Sequence, residues 1–100
     1  MATGTVSSGS TDNLTKFRTP CGYTLPYGKV SDDIVGVAIS SKDHCYYWFR
    51  DGRVCAGTSS HADKYRTLYR YTLPSDKTPN DIVGIAIAPS NDRCYTWFNS

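Results

Sequence analysis

The residues of this chain that could do chemistry are few, and the informative ones come in pairs. There are two histidines, His44 and His61, and four cysteines, Cys21, Cys45, Cys55 and Cys94. Neither histidine lies in a spacing such as C-x-x-C or H-E-x-x-H, so no metal site is implied. No nucleophile stands beside a recognisable base, so an enzyme is not expected and no cofactor is called for. The paired residues are aromatic and basic. Tyr46 and Trp48 recur as Tyr95 and Trp97, and Phe17-Arg18 recurs as Tyr65-Arg66. Aromatic rings against the apolar side of a sugar, with guanidinium or hydroxyl groups at its polar edge, are the usual chemistry for holding a neutral saccharide. The candidate ligand-binding set is therefore Trp48, Trp97, Tyr46, Tyr95, Arg18, Arg66 and Tyr65.

Each of these also has a structural explanation. Trp48 and Trp97 can pack between sheets, and Arg18 and Arg66 can pair with Asp33, Asp81 or Asp63. Asp33 and Asp81 are expected to satisfy backbone groups where a strand begins, and Lys29 and Lys77 to be solvated. The thiols are expected to be buried and to behave as small hydrophobes. Asp51-Gly52 reads as a two-residue type I′ hairpin turn. In that register Cys45 faces Thr58 and Cys55 faces Trp48, which puts Cys45 and Cys55 on opposite faces and rules out a bond between them.

The elements that position these residues follow from an internal repeat. Asp33-Ile34-Val35-Gly36-Val37-Ala38-Ile39 recurs as Asp81-Ile82-Val83-Gly84-Ile85-Ala86-Ile87, 48 residues later. Cys45-Tyr46-Tyr47-Trp48-Phe49 recurs as Cys94-Tyr95-Thr96-Trp97-Phe98 after 49, so the loop between gains one residue. Val6-Ser7-Ser8-Gly9 matches Val54-Cys55-Ala56-Gly57, and Tyr23-Thr24-Leu25-Pro26 matches Tyr71-Thr72-Leu73-Pro74. Each unit reads as four short strands, placed in the complete unit at Ile34–Ser40, Cys45–Arg50, Arg53–Thr58 and near Tyr69–Leu73. The first, apolar with small residues, suits burial on both faces. Helical periodicity is absent, and the expected class is all-β.

A period near 48 fits one blade of a β-propeller. Residues 1–28 then supply the second half of a blade, 29–76 a full blade, and 77–100 the first half of another. Two blades cannot close a ring, so closure is expected through self-association, with the half-blades of neighbouring chains completing one another. A trimer with six blades is favoured and a tetramer with eight comes second. The net charge of +2 is spread among acidic residues. No basic run marks a nucleic-acid surface, and no stretch is apolar enough to insert in a membrane. The polar N-terminal stretch lacks the core of a signal peptide, so the expected location is cytoplasmic, with release by a signal-independent route left open.

The strings Ala56-Gly57-Thr58-Ser59, Asp63-Lys64-Tyr65-Arg66, Tyr71-Thr72-Leu73-Pro74, Lys77 to Ile87 and Cys94-Tyr95-Thr96-Trp97-Phe98 together resemble the repeat of the PLL-type (Photorhabdus lectin-like) bacterial lectins, which are seven-bladed propellers in a single chain. The resemblance implies multivalent, metal-independent binding of fucose or O-methylated sugars in pockets between adjacent blades. The alternative is a scaffold or interaction propeller, or an engineered propeller fragment, without sugar binding.

Overall fold

The computed structural model describes residues 4–40, 42–88, 90–91 and 93–99, with residues 18–20 and 67 described by their backbone alone. Among the described residues the chain is all-β, with two short 3₁₀ turns and no α-helix. In chain order the strands are β1 (Gly4–Ser10), β2 (Asn13–Tyr23), β3 (Ile34–Ile39), β4 (Cys45–Phe49), β5 (Arg53–Gly57), β6 (Arg66–Arg70), β7 (Ile82–Ala88) and β8 (Arg93–Phe98). They form three antiparallel sheets: β1-β2, the meander β3-β4-β5-β6, and β7-β8. Among the described residues no helix is long and apolar enough to cross a membrane.

The repeat governs local structure in detail. Before β3, Asp33 accepts the Val30 N–H at 2.9 Å; before β7, Asp81 accepts the Thr78 N–H at 2.9 Å. Each aspartate thus closes the 3₁₀ turn that launches β3 or β7, as expected. In β1, the Ser7 hydroxyl donates to Leu14 O at 3.0 Å; one repeat later the Cys55 thiol donates to Ala62 O at 3.1 Å. Gly9 and Gly57 share a second constraint. A Cβ on Gly9 would sit 2.0 Å from Asn13 O, and one on Gly57 1.9 Å from His61 O, so only glycine lets the following loop fold back so closely.

Several expectations need correction. The turn after β4 is a three-residue loop, not type I′. Only Gly52 has positive φ (91°), and its N–H bonds Phe49 O at 3.1 Å, the pattern of a type I turn followed by a left-handed glycine. The register therefore shifts by one: Cys45 opposes Gly57, Tyr47 opposes Cys55 and Trp48 opposes Val54. A one-residue slip exchanges the faces, so Cys45 and Cys55 lie on the same face, in one core cluster with Tyr47, Phe49 and Ala62. Both remain free thiols. The fourth strand begins at Arg66, earlier than expected, because the Tyr65 N–H already bonds Ala56 O at 3.0 Å as the loop closes. Arg18 and Arg66 accordingly sit in strands β2 and β6. Lys29 is not simply solvated: its ammonium pairs with Asp51 and lies 5.5 Å from the Phe49 ring centroid. Lys77 repeats the ring contact, 5.8 Å from Phe98. Cys94, expected to be buried, is exposed.

The central sheet has two differently occupied faces. Its core face carries Cys45, Tyr47, Phe49 and Cys55, with Leu25, Ile34 and Leu68 packed against them. The Thr24 N–H bonds Ser60 O and the Ala62 N–H bonds Thr24 O, both at 3.0 Å, which ties the end of the β1-β2 segment to this sheet. The other face carries Tyr46, Trp48 and Val54 and turns toward β7-β8. Strand β3 packs against β7, where the Ile85 side chain fills the space a Cβ on Gly36 would occupy. Only one face of β3 is covered in this way. Val37 and Ile39 on its other face are 44% and 53% exposed, contrary to burial on both sides.

Candidate functional site

The central sheet's second face and the β7-β8 hairpin enclose an open groove of about 730 Å³. β4 supplies its floor because residues of one parity share a face: His44, at the strand's start, then Tyr46 and Trp48. β5 adds Val54, and β6 with the segments on either side of it adds Tyr65, Tyr69 and Tyr71. Ile87 and Cys94 close the far wall from β7 and β8, and Ser40 and Lys42 stand at the rim.

The rings are organised against one another. The His44 imidazole stacks on Tyr65 with centroids 5.0 Å apart and planes 14° from parallel, and meets Tyr46 at 5.1 Å. Tyr46 and Trp48 are 6.0 Å apart. Such offset and tilted arrangements hold aromatic side chains in fixed orientations. Arg66 lies with its guanidinium carbon 4.6 Å from the Tyr69 ring centroid, outside the groove lining, so its cationic contact is with an aromatic face and not with an aspartate. Tyr71 donates its hydroxyl to Phe49 O at 2.7 Å, and burial raises its pKa. Both Lys42 and Asp43 adopt φ of 58°, a left-handed pair that turns the chain between β3 and β4. Asp43 is locked there by accepting the Ser59 N–H at 3.1 Å.

The core-face groups are inert by comparison. Burial, aided by nearby Asp43, pushes the Cys45 thiol up to about 11, and burial pushes Cys55 up to about 12. Tyr47, donating to Thr58 O at 2.8 Å, is also raised well above a free phenol, mainly by burial. These groups stay neutral and structural at physiological pH.

Of the residues expected at a site, the structure brings Tyr46, Trp48 and Tyr65 together in the groove. Tyr95 and Trp97 are not part of it. They lie on β8, 47% and 53% exposed. Arg18 lies in β2 opposite Ser8, and its side chain falls outside the described residues. The sequence reading missed His44, Tyr69 and Tyr71. It admitted only residues present in both units, and Tyr69 is replaced by Cys21 in the other copy. Tyr71, which does recur as Tyr23, carried the one usable signal.

A second cavity, of about 600 Å³, lies between β1 and the β3-β4 hairpin. Its lining includes Val6, Ile39 and Cys45, which are the repeat counterparts of Val54, Ile87 and Cys94 in the groove. No family model matches this chain, and no curated protein or solved structure matches it.

Proposed function

We propose that the chain is a subunit of a multivalent, metal-independent lectin, built as a homo-oligomeric β-propeller in which the groove holds a saccharide. The observation that carries this reading is the groove itself. Trp48, Tyr46, Tyr65 and Tyr69 present apolar ring faces, and phenol, imidazole and Lys42 groups stand at the margins. That combination matches a sugar's apolar face and hydroxyl edge. The groove lies between two repeat units, where the resemblance to PLL-type lectins implies pockets for fucose or O-methylated sugars.

Assembly is supported by what β8 lacks. Among the described residues strand β4 is paired on both sides, by β3 and β5, whereas β8 has only β7. Strand β1 is the repeat counterpart of β5 and, among the described residues, pairs only with β2. An edge carrying Tyr95 and Trp97 half exposed invites another strand, and β1 of a second copy has the matching register. A closed ring of three chains gives six blades, and one of four gives eight. Individually weak sites in such a ring gain roughly 10²–10⁴-fold in avidity.

The test has two readouts on the full chain. Native mass spectrometry should give one closed species of three or four subunits, and a folded monomer would remove the ring. A glycan array probed with the assembled protein should show binding to fucosylated or O-methylated glycans that is lost in Trp48→Ala. Absence of any glycan signal from an intact ring would leave a scaffold in place of a lectin.

A further inference from the structure

The cavity beside β1 is half of a site, and its missing half has a different chemistry from the groove. We infer that a second class of binding site forms where β8 of one copy meets β1 and β2 of the next, and that it takes a saccharide bearing a carboxylate. The inference rests on the proposed ring.

The half-site is recognised by position. Val6, Ile39 and Cys45 line it just as Val54, Ile87 and Cys94 line the groove. What it lacks is the aromatic strand that β4 gives the groove. The repeat counterparts of that strand's ligand-facing residues are on β8, where Tyr95 and Trp97 stand half exposed. The site is therefore incomplete without a second copy.

The strand register fixes which residue replaces His44. Ile39 opposes Cys45 in the first hairpin and Ile87 opposes Cys94 in the second, so the residue before each cysteine is equivalent. His44 corresponds to Arg93, which opposes Ala88 and shares the β8 face of Tyr95 and Trp97 by strand alternation. On the other copy, the counterparts of Tyr65 and Tyr69 are Phe17 and Cys21. Two phenol hydroxyls are thus lost, a guanidinium takes the place of the imidazole, and the half-site already carries one carboxylate, Asp43, whose Oδ1 accepts the Ser59 N–H. The junction keeps an indole and a phenol ring for a sugar's apolar face, and where the groove has an imidazole beside the Lys42 ammonium it has a permanent planar cation. A guanidinium's paired N–H groups match a carboxylate bidentately. The two classes of site would alternate around the ring.

The two tryptophans report on the two sites separately. In the full-length, assembled Trp48→Phe protein, fluorescence comes from Trp97 and reads the junction. In Trp97→Phe it comes from Trp48 and reads the groove. D-glucuronate should perturb Trp97, and L-fucose should perturb Trp48. Adding Arg93→Gln to Trp48→Phe should weaken the glucuronate response about tenfold or more while assembly persists, the scale of one charged hydrogen-bonded contact. If either tryptophan variant fails to assemble, calorimetry on the otherwise unaltered chain substitutes. Glucuronate should bind at one site per chain, and Arg93→Gln should weaken it about tenfold or more without altering fucose binding. An intact ring that binds fucose but leaves Trp97 and the calorimeter silent to glucuronate overturns this inference and spares the lectin reading. A ring that binds glucuronate but not fucose keeps this inference and overturns the assignment of fucose to the groove.

Discussion

Gly36→Ala isolates the contact on which the packing of the two inner strands depends. A Cβ at this position would lie 2.6 Å from Ile85 Cδ1 and 3.0 Å from its Cγ1. Both are side-chain atoms, so Ile85 can move, but it does so within the β3-β7 contact. Overpacking of this kind costs about 1–3 kcal/mol. Replacing a strand glycine returns roughly 0.5–1 kcal/mol through the unfolded chain. The central expectation is a loss of about 1 kcal/mol, a fall in Tm of roughly 4–8 °C for a domain of this size. The partner change is Ile85→Val, which deletes Cδ1, the nearest atom, and alone costs about 0.5–1.5 kcal/mol. Combined with Gly36→Ala it should cost less than the two singles together, by about 1 kcal/mol in a double-mutant cycle. The assay is urea and thermal unfolding followed by circular dichroism at one fixed protein concentration, because association adds to apparent stability. Strict additivity, or a Gly36→Ala protein as stable as its parent, would refute the claim that Gly36 exists to receive Ile85.

Three further outcomes are expected. Gly57→Ala and Gly9→Ala should each cost more than the roughly 1–3 kcal/mol of ordinary overpacking, since the obstructing atoms are backbone carbonyls; a normal melting profile for either would mean that the loops do not approach so closely. Hydrogen bonding from Lys29 holds the Asp51 carboxyl below its ordinary value of 3.8. Its stabilisation is therefore present above that value and lost as the pH falls through the depressed folded value. Because Asp51 is partly exposed, Asp51→Asn should remove less than about 1 kcal/mol at neutral pH and flatten stability against pH in the acid range. In the unassembled chain at pH 8, Ellman's reagent should reach exposed Cys94 first and leave Cys45 and Cys55 unreacted until unfolding, given their raised thiol pKa values; early release from four thiols would contradict the buried cluster.

The fold was legible where the repeat was strict. The recurrence of Asp33–Ile39 as Asp81–Ile87 located both inner strands and assigned both aspartates their backbone role. The hairpin after β4 was misread because Asp-Gly suits two turns. The dipeptide favours type I′, but with Asp51 outside the positive-φ region and Gly52 alone left-handed it closes a three-residue loop, which exchanges the faces of Cys45 and Cys55. Lys29 was misread for a different reason. Its partners Asp51 and Phe49 lie about twenty residues away along the chain and meet it only once the sheet has formed. At the site, Trp48, Tyr46 and Tyr65 were legible because aromatic residues on a strand of known parity define a face. His44 and Tyr69 were not, because a search for duplicated residues discards whatever makes the two units differ.

That difference between units also bears on how firmly copies would hold one another. Within the chain, Ile85 of β7 reaches into the space above Gly36 of β3. The outward faces offer the same arrangement one repeat on: Val37 stands 44% exposed on β3, and Gly84 on β7 has only its own Trp97, at 3.8 Å, near the Cβ position. In the proposed ring Val37 of one copy enters the space above Gly84 of the preceding copy. Valine falls one methylene short of the isoleucine used within the chain, a deficit of about 0.8 kcal/mol at each junction. Val37→Ile should therefore strengthen every junction without altering the contact at Gly36. In native mass spectrometry across a dilution series, the ring should persist to lower concentration in Val37→Ile, and Gly84→Ala should move the midpoint the other way. Unchanged midpoints in both variants would show that copies of this chain do not meet through these inner strands.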